Sequence, residues 1–443
     1  MNKKLFLCAL ALISTMYANE AEQDISQADV DSQNNISQYT GQKDFKTVED
    51  FFDEFANENN INYGETLNGR TFYISKAAAI AKETDADFAK ALQNAYEKAI
   101  LNLQGEFVKD VYGRISVEKI NSYNQDNSTN AQVFEPTQKG GIISQIFDKI
   151  GQLAGASLDK ALMDLGINPE GLTEEKKKVL FKEKFVSKQI TTALGRMSGL
   201  VPVKTFVSRT GSGNYEVGVI GVVSDKTRQI ARDMQFRRKP NIKGNGKNIK
   251  ELLPDNDKGY LNEYGMRLVY NEKGEPVILS YGNWGFLPTS NDSYMLDRMH
   301  QMAQDAASQK ADAAIIEFIN TIISFNREQE TGEEVERAIK QTIDLYSGQT
   351  QEVESSPKEI VDKVMQSIKS KASGNLRGIR TLKRWSYKDE NGIQRVGVVR
   401  VYSYSNYENA TKSIAPIGQN SKKSSSSKKE TRESKTVNSI DDF

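Results

Sequence analysis

Apolar positions recur at steps of three and four along several stretches of the chain, and alternate with polar ones along others. The first period predicts helices and the second predicts strands. Thr47 predicts the cap of a short helix running through Phe55, with Asp50 at its third position. Thr84, followed by Asp85 and Asp87, predicts the start of a second, whose Phe88, Leu92, Ala95, Ala99 and Leu103 share one face. After Gly141, the series Ile143, Phe147, Ile150, Ala154, Leu158, Ala161 and Leu165 predicts one continuous helix with Gly166 at its C-terminal cap. A basic amphipathic helix follows over 173–195. Ser356, Pro357 and Glu359 form a capping box ahead of the stripe Ile360, Val364 and Ile368.

Three pairs of strands flank turn sequences. Val201 to Ser208 and Tyr215 to Val223 enclose Thr210-Gly211-Ser212-Gly213. Met266 to Tyr270 and Val277 to Tyr281 enclose Asn271 to Pro276. Ile379 to Tyr387 and Gln394 to Tyr404 enclose Lys388 to Gly392.

Two of these hairpins read as copies of each other. Val217, Gly218, Val219, Val222 and Ser224 recur in order as Val396, Gly397, Val398, Val401 and Ser403. A Ser-Gly pair precedes each hairpin, Ser198-Gly199 and Ser373-Gly374. Upstream of each lies an alanine-rich helix, Phe88 to Leu103 and Met302 to Phe318, the latter with Ala306, Ala307, Ala311 and Ala314. Alanine faces allow a helix to lie close to a sheet, and Gly218 and Gly397 fall where strand would meet helix. The expected architecture is α+β: two related helix plus β-hairpin units, a helical insertion in the first, and disordered termini. The boundaries are 46–225 for the first unit, 226–293 for a basic linker containing a hairpin, and 294–405 for the second unit. Residues 19–45 and 416–443 are too polar to bury a core and read as disordered.

Composition adds an address. Residues 1–18 combine Lys3 and Lys4, an apolar run from Leu5 to Ile13, and small residues toward Ala18, the pattern of a cleavable secretion signal. The run is far shorter than the roughly 20 residues of a membrane-spanning helix, and no later stretch qualifies. The expected location is the periplasm, with no transmembrane helix in the mature chain. Cys8, the only cysteine, lies within the apolar run after Leu7, which does not fit lipidation. A mature chain cut after Ala18 has neither a disulfide nor a thiol nucleophile.

The helix–hairpin order, with an alanine-rich helix and a valine-rich strand, resembles the small α+β domain of certain bacterial outer-membrane lipoproteins. It also resembles the N-terminal domain of the flagellar H-ring protein FlgT, and uncharacterised secreted proteins built from two such units. The resemblance covers residues 68–110, 185–225 and 295–405 and implies a structural or assembly role. The chain departs from it in lacking a lipidation cysteine and in carrying the helical insertion, so membrane attachment does not carry over.

Candidate chemistry is sparse. His300 is the only histidine and falls on a helix, where a surface or partly buried side chain is the expected reading. Ser355 and Lys358 match Ser-x-x-Lys beside a helix cap. Asp255, Asp257 and Glu263 faintly resemble a calcium loop, with Gly259 where a ligand belongs. Gly244-Asn245-Gly246 lacks the strand and helix that a phosphate loop requires. Trp284 and Trp385 are either binding aromatics or core. No catalytic residue, metal site or cofactor is assigned.

Two other features stand out. Arg228, Arg232, Arg237, Arg238, Lys239, Lys243 and Lys247 make a basic segment over 226–250 suited to an anion or an acidic partner, including the acidic N-terminal stretch. Gly151 and Gly155, four apart on the predicted helix, offer a close helix contact, within the core or in a homo-oligomer. The expectation is a non-enzymatic periplasmic scaffold or assembly factor acting through protein–protein contacts in the cell envelope, with a flagellum-associated role as one form of it. Its partners are envelope proteins and not nucleic acid. Anion binding is the alternative and a hydrolase the third reading.

Overall fold

The computed structural model describes residues 46–85, 87–125, 134, 142–289, 292–325, 335 and 377–412. The first unit opens with helix α1 (Val48–Asn59) and strands β1 (Thr66–Leu67) and β2 (Arg70–Ala79). Next comes the long helix α2 (Phe88–Gln125), then α3 (Ile142–Gln152), α4 (Gly155–Asp164) and α5 (Glu174–Arg196). The hairpin β3 (Val201–Arg209) and β4 (Tyr215–Ser224) and helix α6 (Asp225–Gln235) close it. The second unit contains β5 (Gly265–Tyr270), β6 (Pro276–Phe286), α7 (Ser293–Phe325), β7 (Arg380–Lys388), β8 (Gln394–Ser403) and α8 (Tyr404–Lys412). Each unit folds one antiparallel sheet, in the orders β1-β2-β4-β3 and β5-β6-β8-β7.

The two repeated strands occupy the same place. β4 lies between β2 and β3, and β8 lies between β6 and β7. The match extends to irregularities. β3 slips register between Pro202 and Lys204 opposite β4, and β7 slips between Thr381 and Lys383 opposite β8. The interval along the chain that carries Val217 to Val396 also carries one bulge onto the other. Ser224 and Ser403 each end a strand and accept a backbone N–H from the helix that follows, Thr227 at 3.2 Å and Asn406 at 3.1 Å.

The same interval corrects one expectation. The partner of Gly199 is Gly378, not Gly374. A Cβ on Gly199 would strike Arg228, and one on Gly378 would strike the backbone of Tyr407, the equivalent position in the helix after the hairpin. Gly378 also has φ 93, which favours glycine. Ser373 and Gly374 lie outside the described residues.

Both long helices lie across their sheets through small residues. In the first unit Ser75 on β2 donates to the Ala99 carbonyl at 2.5 Å. Ser75 faces Val219, and Gly282 faces Val398, at equivalent rungs. A Cβ on Gly282 would collide with the Ala307 carbonyl, so α7 comes down onto bare backbone there. Ala95, Ala99, Leu103 and Phe107 are buried along α2, and Ala303, Ala307, Ala311 and Ile315 along α7. Burial of Leu103 and Phe107 contributes on the order of 1.5–3 kcal/mol each.

Gly218 and Gly397 face the opposite side of their sheets from α2 and α7. Gly218 makes room for Val48 and Phe52 of α1. Gly397 makes room for the indole of Trp385, on which Tyr260 stacks at 5.7 Å. The close contacts of strand with long helix fall instead at Gly221, against Leu103, and at Gly282.

Other elements refine the sequence reading. The Thr47 capping box forms, and α1 runs on to Asn59. α2 begins at Phe88, later than a Thr84 cap implies, and continues to Gln125. The helix expected over 143–165 breaks after Gln152 and restarts at Gly155, whose φ is 55, and Ala154 is exposed. The 173–195 helix forms with Thr173 as its cap. The hairpin expected within a linker supplies β5 and β6, half of the second sheet. The basic stretch before it begins with α6. Residues 1–45 and 413–443, the helix expected after Ser356, and Ser355 and Lys358 lie outside the described residues.

Candidate functional site

The basic segment does not converge on one point. Arg228 pairs with Asp225 at 3.0 Å and packs on Gly199. Arg232 is exposed on α6. Arg237 has φ 53 and lays its guanidinium over the Tyr407 ring, 5.1 Å from its centre, donating to the hydroxyl at 3.4 Å. That hydrogen bond, then one with Thr411 and the nearby charges of Arg237 and Arg377, hold the Tyr407 hydroxyl below the usual phenol range. Arg238 stacks over the exposed Phe236. Lys239, Lys243 and Lys247 are exposed.

Gly244 and Gly246 have a packing role. Gly244 lies against the Tyr270 ring and donates to Gly274 O at 3.0 Å, and Gly246 lies on the Asn271 carbonyl. The segment thus runs beside the β5–β6 turn, where a side chain at either glycine would collide. Asp257 and Gly259 lie in a short turn (Asp257–Asn262) capped by Asn256. Among the described residues no cluster of His, Cys, Asp and Glu could hold a metal ion. Gly151 and Gly155 sit in different helices, both exposed, with nothing near the space a Cβ would fill. His300 is half-buried on α7, edge-on to Phe286 at 6.4 Å.

A feature that sequence reading missed is the start of α7. Met295, Met299 and Met302 recur at helical spacing there. Met295 is 45% exposed and Met302 64%, with Tyr294 and Leu287 exposed beside them. Large apolar groups gathered on one surface are unusual, and methionines adapt to varied partners. Asp297 and Asp305 are exposed on the same stretch of helix. The spacing was readable in the sequence; that Met295 and Met302 stay exposed in the fold was not.

The seam between the units is the second feature. Edge strands β3 and β5 run side by side there. The Met266 N–H donates to the Tyr96 hydroxyl at 3.0 Å, and Gly265, with φ 70, lies against the Tyr96 ring where no Cβ fits. Lys310 pairs with Glu97 at 3.0 Å across the seam. Arg395 is buried; it holds Asp389 at 3.2 Å and reaches into the first unit to the carbonyls of Glu83 at 2.6 Å and Asp85 at 3.3 Å.

Two recesses flank these contacts. One, of about 240 Å³, lies between α2 and α7 and is mainly apolar, lined by Tyr96, Ile100, Leu200 and Phe318 with the Lys310–Glu97 pair. The other, of about 300 Å³, lies on the Arg395 side and is aromatic and polar. Trp284, Trp385, Tyr264 and Tyr387 line it, with Asn283 among them. Burial pushes the Tyr264 hydroxyl up to about 12, and burial also raises the Tyr96 hydroxyl.

No helix among the described residues is long and apolar enough to cross a membrane. No curated protein matches the chain. A solved structure titled as hypothetical protein FTT1539c from Francisella tularensis is similar in fold, with a TM-score of 0.53 and 22% identity, covering 82% of this chain and 93% of that one. Residues 143–236 match a family model described as a domain of unknown function, DUF6844, a span that runs from α3 through the first repeated hairpin and into its capped helix.

Proposed function

We propose that this is an exported, non-enzymatic protein of the bacterial cell envelope that works by protein–protein contact, as a scaffold or assembly factor. The observation that carries the reading is the pair of exposed methionines at the start of α7, Met295 and Met302, with Tyr294 and Leu287 exposed nearby in sequence. Such a surface suits the apolar face of a protein partner, and the nearby Asp297 and Asp305 favour one whose rim is basic. The sequence of residues 1–18 supports export. A flagellum-associated partner is one form of this role, suggested by the FlgT resemblance alone.

The test places a photocrosslinking residue at Met302 and, as a control, at the exposed Val179 of α5 in the producing bacterium. One discrete envelope protein is expected to crosslink from position 302 alone. Met295→Glu with Tyr294→Ser is expected to abolish the crosslink and to reproduce the envelope or motility defect of a deletion strain. Equal labelling from both positions, together with an unaltered deletion strain, overturns the reading.

A second reading is anion binding through residues 226–250. Arg237 and Arg377 act together on Tyr407, and Arg238, Lys239, Lys243 and Lys247 are exposed nearby in sequence. Replacing Arg237, Arg238 and Lys239 with Ser would then remove a salt-sensitive affinity for phosphate or an acidic polymer.

A further inference from the structure

We propose that the aromatic recess at the seam binds a short neutral saccharide. The argument begins with charge. Arg395, the cation within the recess, is already held by Asp389 and by the carbonyls of Glu83 and Asp85. The Glu83 carboxylate accepts from Tyr215 at 2.8 Å. The remaining charges, Lys258 and Glu390, are exposed at the rim and opposite in sign. An ionic ligand would find no uncommitted counter-charge inside, and taking a charge out of water without one is costly. The ligand is therefore neutral.

Next comes shape and surface. Trp284 and Tyr387, both half-buried, line the recess with the buried Trp385 and Tyr264. The C–H face of a sugar ring carries slight positive charge and packs on the negative face of an aromatic ring. Its hydroxyls project sideways and need amide partners. Asn262 and Asn391 stand exposed at the rim of the recess, and Asn283 lies in its floor. One atom of its lining residues, the donor Trp385 Nε1, is buried with no partner in the protein. Buried polar atoms are normally paired, so this one is unusual. About 300 Å³ is at the small end of ligand sites and suits one or two sugar rings.

The site exists only because the units are joined. Glu83, Phe88 and Tyr215 come from the first, and the tryptophans and asparagines come from the second. The proposal stands apart from the protein-contact reading, whose surface is at the start of α7.

The chain's two tryptophans both line this recess, so intrinsic fluorescence reports on it directly. The intact protein is titrated with glucose, N-acetylglucosamine and maltose, and in separate arms with adenosine and inorganic phosphate. A saturable change in tryptophan emission is expected with at least one saccharide. Trp284→Leu, followed by saturation-transfer NMR, is expected to weaken binding about tenfold. Asn391→Ala, at an exposed position, is expected to weaken it a few-fold with the thermal unfolding midpoint unchanged, which separates lost binding from lost fold. Absence of a saturable response to every saccharide overturns the proposal. So does saturation by adenosine or phosphate alone, or unchanged saccharide affinity in both variants.

Discussion

The two sheets share a frame and fill it differently. In the first, the face toward the long helix is apolar where Gly221 meets Leu103. At the equivalent rung of the second stands Arg400, which grips Asp312 of α7 with two hydrogen bonds of 2.5 and 2.6 Å. On the far side, Phe52 of a separate helix fills the hollow over Gly218, and Trp385 of the neighbouring strand fills the hollow over Gly397. The bulge, the flanking glycines and the serine cap are common to both. What persists between the copies is backbone geometry: register, close approach and the turn into the last helix. The groups that occupy the resulting spaces are interchangeable, because a hollow requires volume more than identity.

The sharpest break in this comparison is at the rung shared by Ser75 and Gly282. Gly282→Val drives a side chain into the Ala307 carbonyl. It is expected to cost more than about 3 kcal/mol and to lift α7 from its sheet, read as loss of the cooperative unfolding transition. Stability near wild type would mean that helix and strand are not tightly apposed there. Smaller is the effect at Arg400. Arg400→Leu strands the Asp312 carboxylate, and because the two side chains are 19% and 28% exposed the cost is discounted to about 2 kcal/mol. Adding Asp312→Leu should recover most of it, which denaturant midpoints for the double-mutant cycle would register. Failure to recover would make the pair's fit, not its charge, the important quantity. Smallest is Ser75→Ala, which removes one hydrogen bond to Ala99 and should cost about 1 kcal/mol in the same assay. A larger loss would indicate that the first copy relies on a hydroxyl contact that the second, with Gly282 at this rung, does without.

Much of the fold was legible along the chain. The three hairpins, the Thr47 cap, the 173–195 helix and the valine-rich copies were visible because turn residues and periodicity act over a few positions. β2 was not. Its Ala77, Ala78 and Ala79 favour helix, and they become strand because β4 pairs with all three and Ala77 and Ala79 are buried in the core with α2. The break before Gly155 also escaped, since the apolar spacing continues across it. Of the candidate sites, the basic segment was obvious as charge, but its dispersal over α6, the Tyr407 ring and the β5–β6 turn was not. Trp284 and Trp385 were noted, yet nothing in their separation along the chain placed them in one recess with Arg395 and Phe88.

Sequence alone determined the α+β class, the duplication and the local signals that begin and end most elements, because each depends on neighbours a few residues away. Tertiary structure decided which glycines touch helices, that 265–286 belongs to the second sheet, and that a seam lined by tryptophans exists at all. Those outcomes depend on which distant surfaces meet, and the energy of burying one face against another is fixed only when both are in place.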